Sequence, residues 1–102
     1  NTALLLLQKQ ESADDERWYN ESLIAFNLGS VKTELRKTKE ALALFELASK
    51  LLEKVTLDDP LITEQKAMTH HEISGRYSEL SDSYMCRKFA KSAIEFYTQI
   101  LE

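Results

Sequence analysis

The sequence predicts an all-α fold of antiparallel helix hairpins, about five helices in all. Three observations predict it. Among 102 residues there are two Gly and one Pro, too few for collagen, low-complexity or turn-dense all-β architectures. Apolar residues recur at i, i+3, i+4 and i+7, the period of a helix with one buried face. A composition of 43% hydrophobic and 29% charged residues supplies a core and excludes a disordered chain.

The leading helix is expected over residues 2–11, where Leu4, Leu5, Leu6 and Leu7 make it apolar almost all round. Ser12, with Asp15 three residues on, has the form of a capping box. A second helix therefore starts at residue 13 and runs to 35, with Trp18, Ala25, Leu28 and the stem of Lys32 on one stripe and Ile24, Val31 and Leu35 beside it. Arg36 and Lys37 suit its negative C-terminal end, and Thr38 can cap the next helix. The third helix, over 39–54, carries Ala41, Leu44, Phe45, Ala48, Leu51 and Leu52, with Val55 just beyond, at helical spacing through four turns. Leu57-Asp58-Asp59-Pro60 then breaks the chain. Pro60 disfavours helix at Asp59 but fits the first turn of a new helix, for which Asp59 is a cap. The fourth helix is expected over 60–84, absorbing the cost of about 1 kcal/mol that Gly75 imposes relative to Ala. The fifth, over 87–101, carries Phe89, Ala93, Phe96, Tyr97 and Ile100. One domain, 1–102, thus divides into a leading helix (1–12), a first hairpin (13–56) and a second (57–102). Short links make consecutive helices antiparallel.

Overlaying the hairpins aligns Ala25-x2-Leu28-Gly29-x2-Lys32 with Tyr77-x2-Leu80-Ser81-x2-Tyr84, 52 residues on. Ala41 follows Gly29 by twelve residues and Ala93 follows Ser81 by twelve; Ala41-x3-Phe45-x2-Ala48 then matches Ala93-x3-Tyr97-x2-Ile100. A small residue on each first helix and an Ala on each second allow close backbone approach. From about Asn20 onward the chain resembles the tetratricopeptide repeat (TPR) family, long-repeat variety, whose signature is aromatic-x2-Leu-Gly-x2-Tyr followed by Ala-x3-Phe. Ala25 and Lys32 depart from it, and the interval exceeds the usual repeat length of about 34 residues. The resemblance implies a right-handed α-solenoid segment, part of a longer array.

Other chemistries find little support in the residues. The net charge of −4 opposes nonspecific binding to nucleic acid or anionic membrane. The longest apolar run, residues 3–7, is far below the roughly 20 residues of a membrane span. A single cysteine, Cys86, cannot form an internal disulfide, which points to an intracellular protein, cytoplasmic or nuclear. His70-His71-Glu72 lacks zinc-ligand and di-iron spacing and reads as a surface pair of histidines. Arg87 and Lys88 adjoin Cys86, but no dedicated His and Asp partners accompany it. The basic residues Arg36, Lys37, Lys39, Arg87, Lys88 and Lys91 are expected at the hairpin turns, where helix dipoles account for them. No catalytic residue, cofactor or metal site is expected.

The resemblance implies a partner-binding groove lined by the first helix of each hairpin. Its candidates are Phe26, Asn27, Ser30, Thr33 and Glu34 from one hairpin, and Ser78, Glu79, Asp82, Met85 and Cys86 from the other. Glu34, Glu79 and Asp82 make the set acidic, so the expected function is a non-enzymatic scaffold that binds a basic or amphipathic peptide or helical segment, with these three acids as the charge contacts and Phe26 as an apolar anchor. The alternatives are a histone-chaperone type of TPR protein and a structural module that self-associates through Leu4–Leu7 or the terminal helix with Ile100 and Leu101.

Overall fold

The computed structural model describes the backbone of residues 2–101 and the side chains of 14–101. It contains four helices, α1 (Thr2–Glu34), α2 (Thr38–Glu53), α3 (Pro60–Glu79) and α4 (Ser83–Leu101), and no strand among the described residues. The all-α class stands. Consecutive helices pack in pairs, α1 on α2, α2 on α3 and α3 on α4, so two hairpins lie side by side.

The count of about five helices is corrected to four, because the break expected at Ser12 does not occur. Neither Gly nor Pro interrupts residues 2–28, and the acid of the apparent capping box acts elsewhere. Asp15 accepts from the Thr56 backbone N–H at 3.0 Å and the Thr56 hydroxyl at 2.9 Å, clamping the α2–α3 link onto α1. Leu4–Leu7 lie outside the described side chains. At the next link the expectation holds: Pro60 opens α3, and the Asp59 carboxylate accepts from Leu61 N–H at 2.8 Å. Thr38, expected as a cap, is instead the first residue of α2, and its hydroxyl donates to Glu79.

The larger correction concerns the second hairpin. Its turn falls at residues 80–82 rather than near 85, and it copies the first turn bond for bond. Arg36 and Ser81 both adopt left-handed backbone, with φ 61° and 62°. Around them Arg36 N–H bonds Thr33 O and Lys37 N–H bonds Lys32 O, as Ser81 bonds Ser78 O and Asp82 bonds Tyr77 O, at 2.9–3.0 Å. The interval is 45 residues, not 52, so the counterpart of Gly29 is Ser74 and that of Ala41 is Cys86. Ser81 sits in the turn and cannot be a close-approach residue. Ser74 is one, being buried and donating to the Cys86 carbonyl at 2.8 Å across the α3–α4 contact.

The core has two centres. Phe45, Ala41 and Ile73 are fully buried together, flanked by Phe26, Leu42, Tyr77 and Phe89. Leu52, Val55 and Ile62 form the second, under Trp18 and Tyr19. The Trp18 ring carries the Arg17 guanidinium and the Lys54 ammonium, each 4.2 Å from its centroid, which ties α1 to the end of α2.

Asp15 makes acid stability a readout of this clamp. The Thr56 N–H bond, opposed by burial and helped by the Thr56 hydroxyl and Leu57 N–H, holds its carboxyl below the usual carboxylate range. A lowered folded-state pKa means that the clamp contributes fully above the unfolded value of about 3.9. That contribution is lost as pH falls through the folded value. Asp15→Asn is therefore expected to lower the thermal midpoint by several degrees at pH 7, with the gap to wild type closing below about pH 4. Circular dichroism melts across pH check it; a gap constant down to pH 3 contradicts it.

Candidate functional site

The face expected to form the groove divides in the structure. Phe26, Asn27, Ser30, Thr33 and Glu34 lie on the last turns of α1, and Ser78 and Glu79 end α3. Asp82 lies in the α3–α4 turn, where its carboxylate caps α4 by accepting from Met85 N–H at 3.0 Å. Met85 and Cys86 belong to the first turn of α4. The 45-residue register makes His71, Glu72, Gly75, Ser78 and Glu79 the α3 counterparts of the α1 set.

Several of these side chains are engaged within the chain. The Phe26 ring meets the Phe45 ring edge-on at 5.3 Å and is half-buried, part of the core. Ser30 donates to Phe26 O at 3.2 Å, and Thr33 donates to Gly29 O at 2.9 Å. Between the two helices stands Arg76, with a side chain only 12% exposed. Its Nη1 donates to Thr33 Oγ1 at 2.7 Å and Glu72 Oε2 at 3.3 Å, and its Nη2 reaches Glu79 Oε1 at 3.0 Å. The Thr38 hydroxyl donates to the other Glu79 oxygen at 2.9 Å. One guanidinium thus joins α1, α3 and, through Glu79, the start of α2. The pattern Glu72-x3-Arg76-x2-Glu79, acids one turn either side of a base, was the available signal for it. Asn27, Glu34 and Ser78 remain exposed.

A second concavity, of about 450 Å³, opens between α2, α3 and α4, with Glu46, Lys50, His70, Tyr77, Lys88 and Phe89 in its wall. His70 is not the surface residue that its sequence neighbourhood suggests. Its Nε2 lies 3.1 Å from Ser49 Oγ on α2 and its Nδ1 2.7 Å from Ser92 Oγ on α4. Phe89 and Phe96 meet the imidazole edge to face at 5.2 and 5.3 Å. Burial holds its pKa below the ordinary imidazole range; Glu53 works against that shift and Lys66 with it. Tyr77 donates to Glu46 at 2.9 Å; burial first, then this bond, raises the phenol pKa. His71 is exposed. Both His70 and Tyr77 are therefore struts between helices. Nothing in the sequence could have separated His70 from His71, because the difference depends on where α2 and α4 pass.

Arg87, Lys88 and Lys91 also move relative to expectation. With α4 starting at Ser83 they stand in its second and third turns, away from a helix C-terminus, so the helix dipole does not account for them. Cys86 is half-buried, with Sγ 3.4 Å from Ser74 Oγ. Among the described residues no group of three or more His, Cys, Asp or Glu could hold a metal ion, and no helix is long and apolar enough to cross a membrane. The arrangement is an all-helical double hairpin with a polar, partly acidic face along α1 and α3. Comparison of the chain with protein-family models, curated proteins and solved structures gives no match.

Proposed function

We propose that the chain is a non-enzymatic scaffold of tetratricopeptide-like build, which holds a basic peptide or helical segment of a partner along the face shared by α1 and α3. The observation that supports this reading is the 45-residue repeat. Two hairpins with identically bonded turns bring equivalent faces of their first helices together, and bridging by Arg76 sets their spacing. Glu34 is exposed and in no ion pair among the described residues, which leaves it for a partner's Lys or Arg. Asn27 and Ser78 supply neutral hydrogen-bonding groups beside it. Phe26, held against Phe45, fixes the floor and is not an anchor for the ligand.

Fluorescence anisotropy with a labelled Lys/Arg-rich amphipathic peptide tests this reading, an acidic peptide of equal length serving as control. Binding of the basic peptide is expected to weaken about fivefold on Glu34→Lys, the scale of one partly exposed ion pair, and to weaken further as salt is raised. Equal binding of the acidic peptide, or an affinity unmoved by Glu34→Lys, would overturn it.

A further inference from the structure

The buried face of α3 has an exposed twin on α1. In the 45-residue register Thr69, Ile73 and Arg76 correspond to Ile24, Leu28 and Val31, and Leu80, itself exposed just past α3, corresponds to Leu35 just past α1. Thr69 and Ile73 are 0% exposed, and Ile73 packs with Ala41 and Phe45 of α2. Their twins Ile24 and Leu28 are 60% and 50% exposed, and Val31 and Leu35 are 50% and 58%. At i, i+4, i+7 and i+11 these four make one continuous apolar stripe, the pattern of a helix that expects another helix.

The matching half lies at the opposite end of the same molecule. Leu52 of α2, fully buried beside Ile62 of α3, corresponds to Tyr97 of α4; Ser49, which meets His70 of α3, corresponds to Ile94, and Leu101 falls in the register of Thr56 in the link after α2. Ile94, Tyr97 and Leu101 are all exposed. Each chain therefore carries an uncovered α3-like surface on α1 and an uncovered α2-like surface on α4.

We propose that a second copy of this chain docks head to tail, its α4 lying on α1 of the first as α2 lies on α3. Two features select a copy as occupant. One is continuity, since the joint repeats an interface that the chain already makes internally. The other is charge, because residues 14–34 of α1 carry five acids against two bases, whereas α4 carries three bases against one acid. Arg87 and Lys88, in the first half of α4, bring positive charge toward an acidic helix in this arrangement. The two contacting surfaces differ, so association does not close on itself and further copies add in line. The register also sets Lys91 opposite Lys32, the counterparts of Glu46 and Tyr77, as a like-charged pair.

Sedimentation velocity over a concentration series is the test. The weight-average mass of the wild-type chain is expected to rise with concentration past that of a dimer. Leu28→Asp and Ile94→Asp, both at exposed positions, should each stay monomeric while keeping wild-type circular dichroism. Mixed in equal amounts they should form a dimer and nothing larger, since the first retains the α4 surface and the second the α1 surface. Lys91→Glu should tighten association several-fold by pairing with Lys32. A wild type that stays monomeric overturns the proposal and leaves the α1 stripe to a helix of another protein. Loss of association with Leu28→Asp alone, Ile94→Asp having no effect, overturns it in favour of a symmetric α1–α1 contact. A mixture that stays monomeric also overturns it.

Discussion

Phe45→Ala is expected to cost about 3–5 kcal/mol, the largest loss at any single position. The ring is fully buried, with the Phe26 ring edge-on at 5.3 Å, the Gly29 backbone beneath it, and Ala41 and Ile73 in the same cluster. It reaches α1, α2 and α3 at once, so no single helix shift can collapse the cavity that alanine would leave. Domains of this kind have about 5–15 kcal/mol of total stability, so the variant should unfold at a fraction of the wild-type denaturant midpoint. Urea unfolding followed by circular dichroism measures it. A loss below about 1 kcal/mol would mean that the two hairpins do not depend on a shared centre.

Gly29→Val is expected to be the most damaging enlargement, at about 3 kcal/mol, the upper part of the range for overpacking. A Cβ at this position would lie 2.9 Å from Phe45 Cε1 and 3.0 Å from its Cδ1 and Cζ. The ring cannot swing aside because Phe26 and Ile73 hold it, and a β-branched side chain has little χ1 freedom to retreat. Two comparisons separate this clash from a simple effect of glycine in a helix. Gly75, where an added Cβ meets nothing within 4 Å, should tolerate Gly75→Ala with a gain of about 0.5–1 kcal/mol. The pair Gly29→Val with Phe45→Leu should lose less than the sum of its members, because each relieves the other. Additive losses, or a gain at Gly29, would place the close approach elsewhere. The same urea unfolding measurements report all four variants.

How much of this could be read in advance differed from helix to helix. The third expected helix was legible almost to the residue, because the period of Ala41, Phe45, Ala48 and Leu52 is set by burial on one face. The α3 start was legible because Asp59 and Pro60 act locally, through a side-chain cap and a fixed φ. The turn at residues 80–82 was not. A left-handed residue there would ordinarily be Gly, and the chain places Ser81 in that conformation, as it places Arg36 in the first turn. Missing that turn displaced the repeat by seven residues, close to two helical turns, an error that apolar periodicity hardly penalises. It also carried Asp82, Met85 and Cys86 into a face to which α3 does not extend. Ser12 misled for the opposite reason: its pattern matched a cap, but the acid three residues on had a stronger partner in Thr56, 41 residues away.

By itself the sequence determined the helical class, α2, the proline-led start of α3 and the existence of paired hairpins, because each follows from interactions within a few residues. Only the tertiary structure decided that α1 runs unbroken, that the hairpins repeat at 45 residues, that Arg76 stands between α1 and α3, and that His70 is half-buried between helices while His71 is exposed. These depend on which helix passes beside which. A side chain such as Asp15 or Arg76 takes the best partner in space, and that partner lies more than 40 residues away along the chain.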